Sequence, residues 1–580
     1  MTTEKDVNVI ESQRNKTTEK VEYDDLLSSA GELGLYQWTL FFSTYPYFAF
    51  GVFVYFSQIF MTEVSPNHWC WIPELENMTD IQRRDLGVPK DENSRFGYSQ
   101  CEMYKVNWTE VLLTEQRPDH TWSTVPCQHG WEFNKSEIPY PTIGMDHEWV
   151  CQKNSYQATA QSIFFVGSIF GGIVTGWIGD HYGRIPAITS CCLLGCIGGL
   201  ISTFARNFYE FTLARFVMGM SYDSCMIMAY LLILEYIGPK YRTLLANMTT
   251  AIFYSLTVTA FPWIALVCGH WKTISLVTSL PLSIAVLTKF ILPESPRWLL
   301  SKGRVDEAIE KLLVIGRINK KEVPNKIILQ FKLSSRNIKE EGNQNFLEIF
   351  RRPLLRKMYT LICLEFMCCV IVFDGLVRSI GQLELNFFVS FSLISFTELP
   401  SVFIVAFIMD YIGRRWLCIV FMGICCVFCI LIVLTSGLQT VICAVIARFA
   451  VNMGLSAATQ WAPEILPTSV RGSGVSLVHI FGYIASFLTP YIVYLNVYIY
   501  WLPLAVLAAT AGLGMLIAFV LPETAMRGMP HTFEDAEKLT KNQCLWTFPI
   551  SEARKVKKSH VRQSNKCFEL EADRSISTYL

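Results

Sequence analysis

Four ionisable residues stand out within apolar stretches: Asp223, Asp374, Arg378 and Glu398. A charge in hydrocarbon is costly, so such residues mark ion or solute sites or else pair with one another. A carboxylate there can hold an ammonium that has shed its water, and an arginine can hold a carboxylate. Asp374 and Arg378 are four apart, hence on one helical face, and either serve a ligand or neutralise each other. Glu398 either faces a solute or partners a neighbouring helix. Aromatic faces also hold ammonium groups, and Tyr230, Tyr254, Trp263, Phe373, Trp461 and Tyr483 fall within the same stretches. Aromatics at stretch ends serve instead as interfacial anchors. His479 reads as a packing histidine.

The elements that must position these residues are membrane spans. The chain has 580 residues, 51% of them hydrophobic and only 17% charged. Its mean hydropathy is +0.32. A bilayer needs about 20 apolar residues per helix. Stretches of that kind start near Tyr36, Tyr156, Ile185, Phe208, Leu244 and Trp271, and again near Lys357, Asn386, Trp416, Leu438, Gly472 and Tyr500. The expected plan is a cytoplasmic start at 1–35, a six-helix half at 36–293, a basic central loop at 294–356, a second half at 357–522 and a tail at 523–580. The start lacks a basic segment followed by a short apolar one, so no cleaved signal is expected and the first span acts as the insertion signal.

Basic residues set the orientation. The 294–356 loop is rich in Lys and Arg, and the turns at Arg184, Arg242, Arg414, Arg415 and Arg471 share its side, which is therefore cytoplasmic. The long segment 61–150 then faces outward. It carries sequons at Asn77, Asn107 and Asn134 and the cysteines Cys70, Cys101, Cys127 and Cys151. An even number of cysteines in an outward loop predicts two disulfides, with three connectivities open.

The two sets of spans repeat each other. Gly176–Arg184, with Asp180, is echoed by Asp410–Arg415; Arg215 by Arg448; Glu235 by Glu464; Arg242 by Arg471; and Pro293-Glu294-Ser295 by Pro522-Glu523-Thr524. Each echo follows about 230 residues later, as two parallel halves require. Two such halves rocking about a midplane site describe the major facilitator fold. The repeated charges Asp180, Arg184, Arg215, Glu235, Arg242, Asp410, Arg414, Arg448, Glu464 and Arg471 are expected near the cytoplasmic ends, where they latch the two bundles together; the alternative is that they set topology or cap helices.

These residues resemble solute carrier family 22, the organic cation, carnitine and organic anion transporters. The resemblance covers nearly the whole chain. It rests on Tyr23-Asp24-Asp25-Leu26, Glu148-Trp149-Val150-Cys151, Gly176–Arg184, Pro293-Glu-Ser-Pro-Arg-Trp-Leu-Leu300, Thr397-Glu398-Leu399-Pro400 and Pro467–Arg471. The first loop, with His68-Trp69-Cys70-Trp71, looks most like invertebrate members, some of them similar to insect carcinine and β-alanine transporters. The resemblance implies transport of small organic cations or amine-bearing zwitterions at the plasma membrane, or of organic anions. Glu398 matches an acid of the family's cation transporters. Asp374, Asp223 and Tyr483 depart from the family pattern, which usually has Tyr, Lys and a charged residue at those places.

Other classes lack their parts. Lys plus Arg equals Asp plus Glu at 49 each, so no charge bias suggests nucleic acid. No phosphate loop, dinucleotide glycine pattern, His-Glu-x-x-His or nucleophile elbow is present, and neither an enzyme nor a cofactor is expected. The seventh span lacks the paired glutamines of sugar carriers. A receptor built on the same scaffold is the remaining alternative. The last residues, Thr578-Tyr579-Leu580, have the form that adds as a strand to a PDZ domain.

Overall fold

The computed structural model describes residues 23–540 apart from 92–93, 95, 115–117, 120–121, 239, 242–244, 246–247, 337–346, 380–385, 468–469, 526–529 and 531. Arg242, most of the link between the seventh and eighth spans, and the carboxyl-terminal motif lie outside the described residues.

Among the described residues, twelve helices are long and apolar enough to cross a membrane. In the first half they are Leu35–Thr62, Cys151–His181, Arg184–Thr203, Phe208–Tyr236, Ala251–Cys268 and Trp271–Ile291. In the second they are Pro353–Arg378, Phe387–Ile412, Arg414–Leu434, Leu438–Ile465, Arg471–Val497 and Leu502–Val520. They are numbered here as the first to twelfth spans. The chain is thus a multi-pass membrane protein with two parallel six-helix halves. The largest difference from the expected starts is the fifth span. Its entry is wound as a π-helical segment, Thr249–Tyr254, before regular helix begins at Ser255.

The outer faces of the spans are apolar stripes. Phe170, Ile173, Val174 and Trp177 on the second span follow a helical spacing, and all are exposed. So are Leu256, Trp263 and Val267 on the fifth. In lipid such a stripe needs no cover, because the tails are as apolar as the side chains.

Several spans are interrupted at mid-depth. The fourth breaks after Gly219 and restarts at Ser224, with Asp223 at a φ of 57°. Left-handed backbone is uncommon for a residue with a side chain, and aspartate is among the few that tolerate it. The first span pauses at Thr44, where Pro46 opens the next helical segment. Broken backbone at membrane depth is tolerated where it lines protein or a cavity rather than lipid.

The outward segment forms a small domain of its own. Strand β1 (His68–Cys70) pairs antiparallel with β4 (Trp131–Phe133), and β2 (Glu102–Tyr104) with β3 (Thr124–Pro126). Two disulfides, Cys70–Cys127 and Cys101–Cys151, select one of the three open connectivities. Each closes a loop of at least 50 residues, which in the chain-entropy account contributes about 4 kcal/mol. Asn77 and Asn107 are exposed and Asn134 is half-buried on this domain.

On the cytoplasmic side, helices of the central loop pack beneath the first half. Trp298 donates its indole N–H to the Asp180 carbonyl at 3.1 Å, and Arg297 pairs with Asp24.

Candidate functional site

The centre of the bundle is a polar network shared by both halves. Asp374, on the seventh span, accepts hydrogen bonds from the Tyr55 hydroxyl of the first span at 2.9 Å and from the Ser486 hydroxyl of the eleventh at 2.5 Å. Arg378, one turn further on, donates to that same Tyr55 oxygen at 3.2 Å and to the Gln161 side-chain carbonyl of the second span. Its guanidinium lies 5.7 Å from the ring centres of both Tyr55 and Phe165. The acid and the base are therefore coupled through a tyrosine rather than by a direct ion pair. The Arg378 Nε–H has no partner.

Below this pair, Asp223 accepts from the Tyr483 hydroxyl at 2.5 Å through one carboxylate oxygen. Its side chain is half-buried in the break of the fourth span. Tyr222 next to it stacks on Tyr55, with ring centres 4.9 Å apart. Tyr254 lies within electrostatic reach of Glu398 and Asp374, and Tyr230 is half-buried against the core. Asp223, Asp374, Arg378, Tyr254 and Tyr483 thus gather around the centre. Tyr55, Tyr222, Gln161 and Ser486 complete the site and were not singled out from the sequence.

Four candidates have other roles. Glu398 is buried and forms a 2.5 Å ion pair with Arg448 of the tenth span. The Arg448 guanidinium lies 3.4 Å from the centre of the Phe373 ring and also donates to the Phe373 carbonyl. Glu398 and Phe373 are therefore occupied in holding an arginine inside the second half. Trp461 is fully buried and donates to the Pro522 carbonyl at 2.9 Å, joining the tenth span to the end of the twelfth. Trp263 is 47% exposed on the outward stripe of the fifth span. Neither tryptophan lines the centre.

The repeated charges form two matching clusters. Arg184 pairs with Asp180 at 3.0 Å and Glu235 at 3.1 Å; Arg414 pairs with Asp410 at 2.8 Å and Glu464 at 2.7 Å. Glu294 accepts the backbone N–H groups of Arg184 and Ile185, at 2.8 and 3.2 Å, and Glu523 those of Arg414 and Arg415, at 3.0 and 3.1 Å. Both carboxylates thus cap the start of a span, where unpaired N–H groups favour an anion. The spacing requires glycine before each cap. Gly183 has a φ of +114°, and a Cβ there would run into the Glu294 carboxylate. These pairs close within each half. Arg471 donates to the Leu466 and Pro530 carbonyls at 3.3 and 3.5 Å.

Arg215 and Arg448 are placed differently again. Both are fully buried rather than at cytoplasmic ends. The fourth and tenth spans run inward from the outer side, so an arginine near the start of each lies nearer that side. Arg215 contacts the Ser57 hydroxyl at 3.4 Å and the Met61 and Met218 sulfurs.

Further hydrogen bonds among the described residues join the halves. Besides those of Tyr55, Arg378 and Asp223, Ser162 donates to the Phe487 carbonyl at 2.8 Å and Ser392 to the Thr259 carbonyl at 2.9 Å. Phe60 packs on Phe387 and Phe391, and Phe56 on Phe391.

Twelve spans in two related halves that meet at a buried polar centre define a transporter of the major facilitator fold. Residues 124–536 match the sugar (and other) transporter family, and the chain belongs to it. A carcinine transporter of Drosophila melanogaster is 30% identical over 548 residues, covering 91% of this chain and 81% of that one. A beta-alanine transporter of the same fly is 30% identical, covering 89% of each. Solute carrier family 22 member 2 of Rattus norvegicus is 26% identical, covering 89% of this chain and 96% of that one. The resemblance to solute carrier family 22 is thus borne out. The inward-open xylose transporter XylE from E. coli shares the fold, with a TM-score of 0.55 at 13% identity over 86% of this chain and 99% of that chain.

Proposed function

We propose that the chain carries small organic cations or amine-bearing zwitterions across the plasma membrane by alternating access, without a catalytic step. The observation that carries this is Asp223. It is an acid in the broken fourth span, half-buried beside the centre, with only one of its oxygens taken by Tyr483. A solute ammonium can replace the water that such an oxygen otherwise needs, with the rings of Tyr222, Tyr55 and Tyr254 around it. Arg378, with an unpaired Nε–H, offers the opposite charge for a solute carboxylate. The names of the carcinine and beta-alanine transporters agree with this chemistry.

Uptake into proteoliposomes tests it, with carcinine, β-alanine, tetraethylammonium and urate as the panel. The amines should enter, and Asp223→Asn should suppress them selectively. Transport of urate alone, untouched by Asp223→Asn, would favour the organic-anion reading; binding without flux would favour a receptor.

The outward domain is proposed to carry glycans at Asn77, Asn107 and Asn134. Replacing all three by Gln should abolish the mobility shift on deglycosylation. The tail Thr578-Tyr579-Leu580 is proposed to bind a PDZ domain, and deleting it should lower surface retention.

A further inference from the structure

We propose that Glu365, Cys369, Cys418 and Met422 form a binding site for a thiophilic d10 cation, zinc(II) or copper(I), between the seventh and ninth spans. Glu365 and Cys369 are one turn apart on the seventh span, and Cys418 and Met422 one turn apart on the ninth. The two pairs face each other. All four residues are fully buried.

The donor atoms already have the spacing of a first coordination shell. The Cys369 sulfur is 3.6 Å from Glu365 Oε1 and 3.8 Å from the Met422 sulfur. The Cys418 sulfur is 2.9 Å from Glu365 Oε1. The ligand atoms of Glu365, Cys369 and Cys418 all lie within 4.8 Å of one another. Around a tetrahedral ion with ligands at about 2.3 Å, neighbouring ligands stand about 3.7 Å apart. Of these three distances, the Cys418–Glu365 contact must lengthen.

A second observation points the same way. The other oxygen of Glu365, Oε2, is buried with no hydrogen-bond partner. Thiols are weak donors and a poor substitute for a cation, and thiolate, thioether and carboxylate together are donors that select borderline and soft metals. On the twelfth span Gly514 faces the cluster, where a Cβ would stand 2.9 Å from the Met422 methyl and 3.4 Å from Glu365 Oε1. A larger residue there would crowd the donors. The balance closes for a divalent ion. One thiolate and the Glu365 carboxylate neutralise the cation, the protons of those two groups leave to solvent, and the second cysteine sulfur and the thioether complete the shell. Copper(I) requires one thiolate and releases one proton.

Asp374 follows Cys369 by about one and a half turns and stands on another face of the seventh span, so the site shares no residue with the solute centre. Titration of the purified full-length protein with Cd2+ under a phosphine reductant tests it. One equivalent should bind with a thiolate-to-cadmium absorption band and raise the melting temperature. The Cys369→Ser, Cys418→Ser double variant should lose that equivalent, and Glu365→Gln should weaken it at least tenfold. The variant Cys192→Ser, Cys225→Ser removes another close thiol pair, at 3.1 Å, and should leave it intact. X-ray absorption on the unaltered protein with one equivalent of cadmium needs no variant and should show two or more sulfurs and an oxygen. Competition by Zn2+ or by Cu+ then distinguishes the two ions. Retention of the equivalent in the Cys369, Cys418 variant, its loss in the Cys192, Cys225 variant, a shell without sulfur, or failure of both ions to compete overturns the proposal.

Discussion

Tyr55 and Asp374 are joined across the two halves, the tyrosine hydroxyl donating to the carboxylate at 2.9 Å while its oxygen accepts from Arg378 at 3.2 Å. One hydroxyl thus bridges two opposite charges that share a face of the seventh span. Removing it by Tyr55→Phe leaves the shape intact but lets Arg378 and Asp374 approach. The expected result is a ten- to hundredfold rise in KM for an amine solute, matching the loss of a charge-assisted hydrogen bond of roughly 1.5–3 kcal/mol. Asp374→Asn should act similarly. Concentration-dependent uptake at equal surface expression measures both. An unchanged KM in both variants would remove Asp374 from the site.

Glu398 should behave as a structural residue. Breaking a buried ion pair leaves a buried charge without its partner and costs about 3–5 kcal/mol. Glu398→Gln should therefore reduce folded protein far more than it alters KM. Replacing both members, Glu398→Leu with Arg448→Met, should recover much of the thermal stability lost. A variant that folds normally but shows a raised KM for amines would return Glu398 to the solute centre.

The two capping carboxylates should be interchangeable in their effects. Glu294→Gln and Glu523→Gln each weaken the cap of one span, so similar drops in melting temperature are expected, of the order of 1–2 kcal/mol each. Gly183→Ala should cost more than Glu294→Gln, because its Cβ meets the carboxylate and its backbone is left-handed. In the same clusters Arg184→Ala or Arg414→Ala should lower turnover with surface expression retained. Parallel loss of both would assign the clusters to topology and capping.

Glu63 gives a pH dependence. It ends the first span on the outer side and accepts from the Gln157 amide at 3.0 Å. Burial pushes its carboxyl up to about 7, against the pull of Gln157 and of the Arg378 guanidinium. Between the ordinary 4.5 and about 7 the folded protein binds more protons here than the unfolded chain. Stability from this group therefore falls as pH rises through that window and is level above it. Glu63→Gln should flatten the corresponding slope of melting temperature against pH; an unaltered slope would count against the shift.

Much of this architecture can be read from residues. Blocks of apolar sequence locate spans because lipid allows nothing else, and the echo of Asp180–Arg184 in Asp410–Arg414 reveals the duplication. Asp223, Asp374 and Arg378 stand out for the same reason. Tyr55 does not, because it sits in a run of aromatic residues, Tyr45 to Phe60, that all look alike. Glu398 and Arg448 were both visible, but nothing in one chain says that the eighth and tenth spans touch there. Trp263 was open to correction from spacing, since it shares a helical stripe with Leu256 and Val267. Glu365 was equally legible as an intramembrane acid. Its significance comes only from Cys418, which approaches from another span.

The outward domain is joined through the chain itself to the first and second spans, and the Cys101–Cys151 bond ties it at the very start of the second. Both spans belong to one half. When the halves tilt, this domain must ride on that half like a visor on one side of a hinge, sweeping past the outer tips of the other. An antibody fragment that grips only the visor would travel with it and leave flux intact. One that also grips the outer end of the seventh or eleventh span would bridge the hinge and freeze the carrier in whichever posture it met.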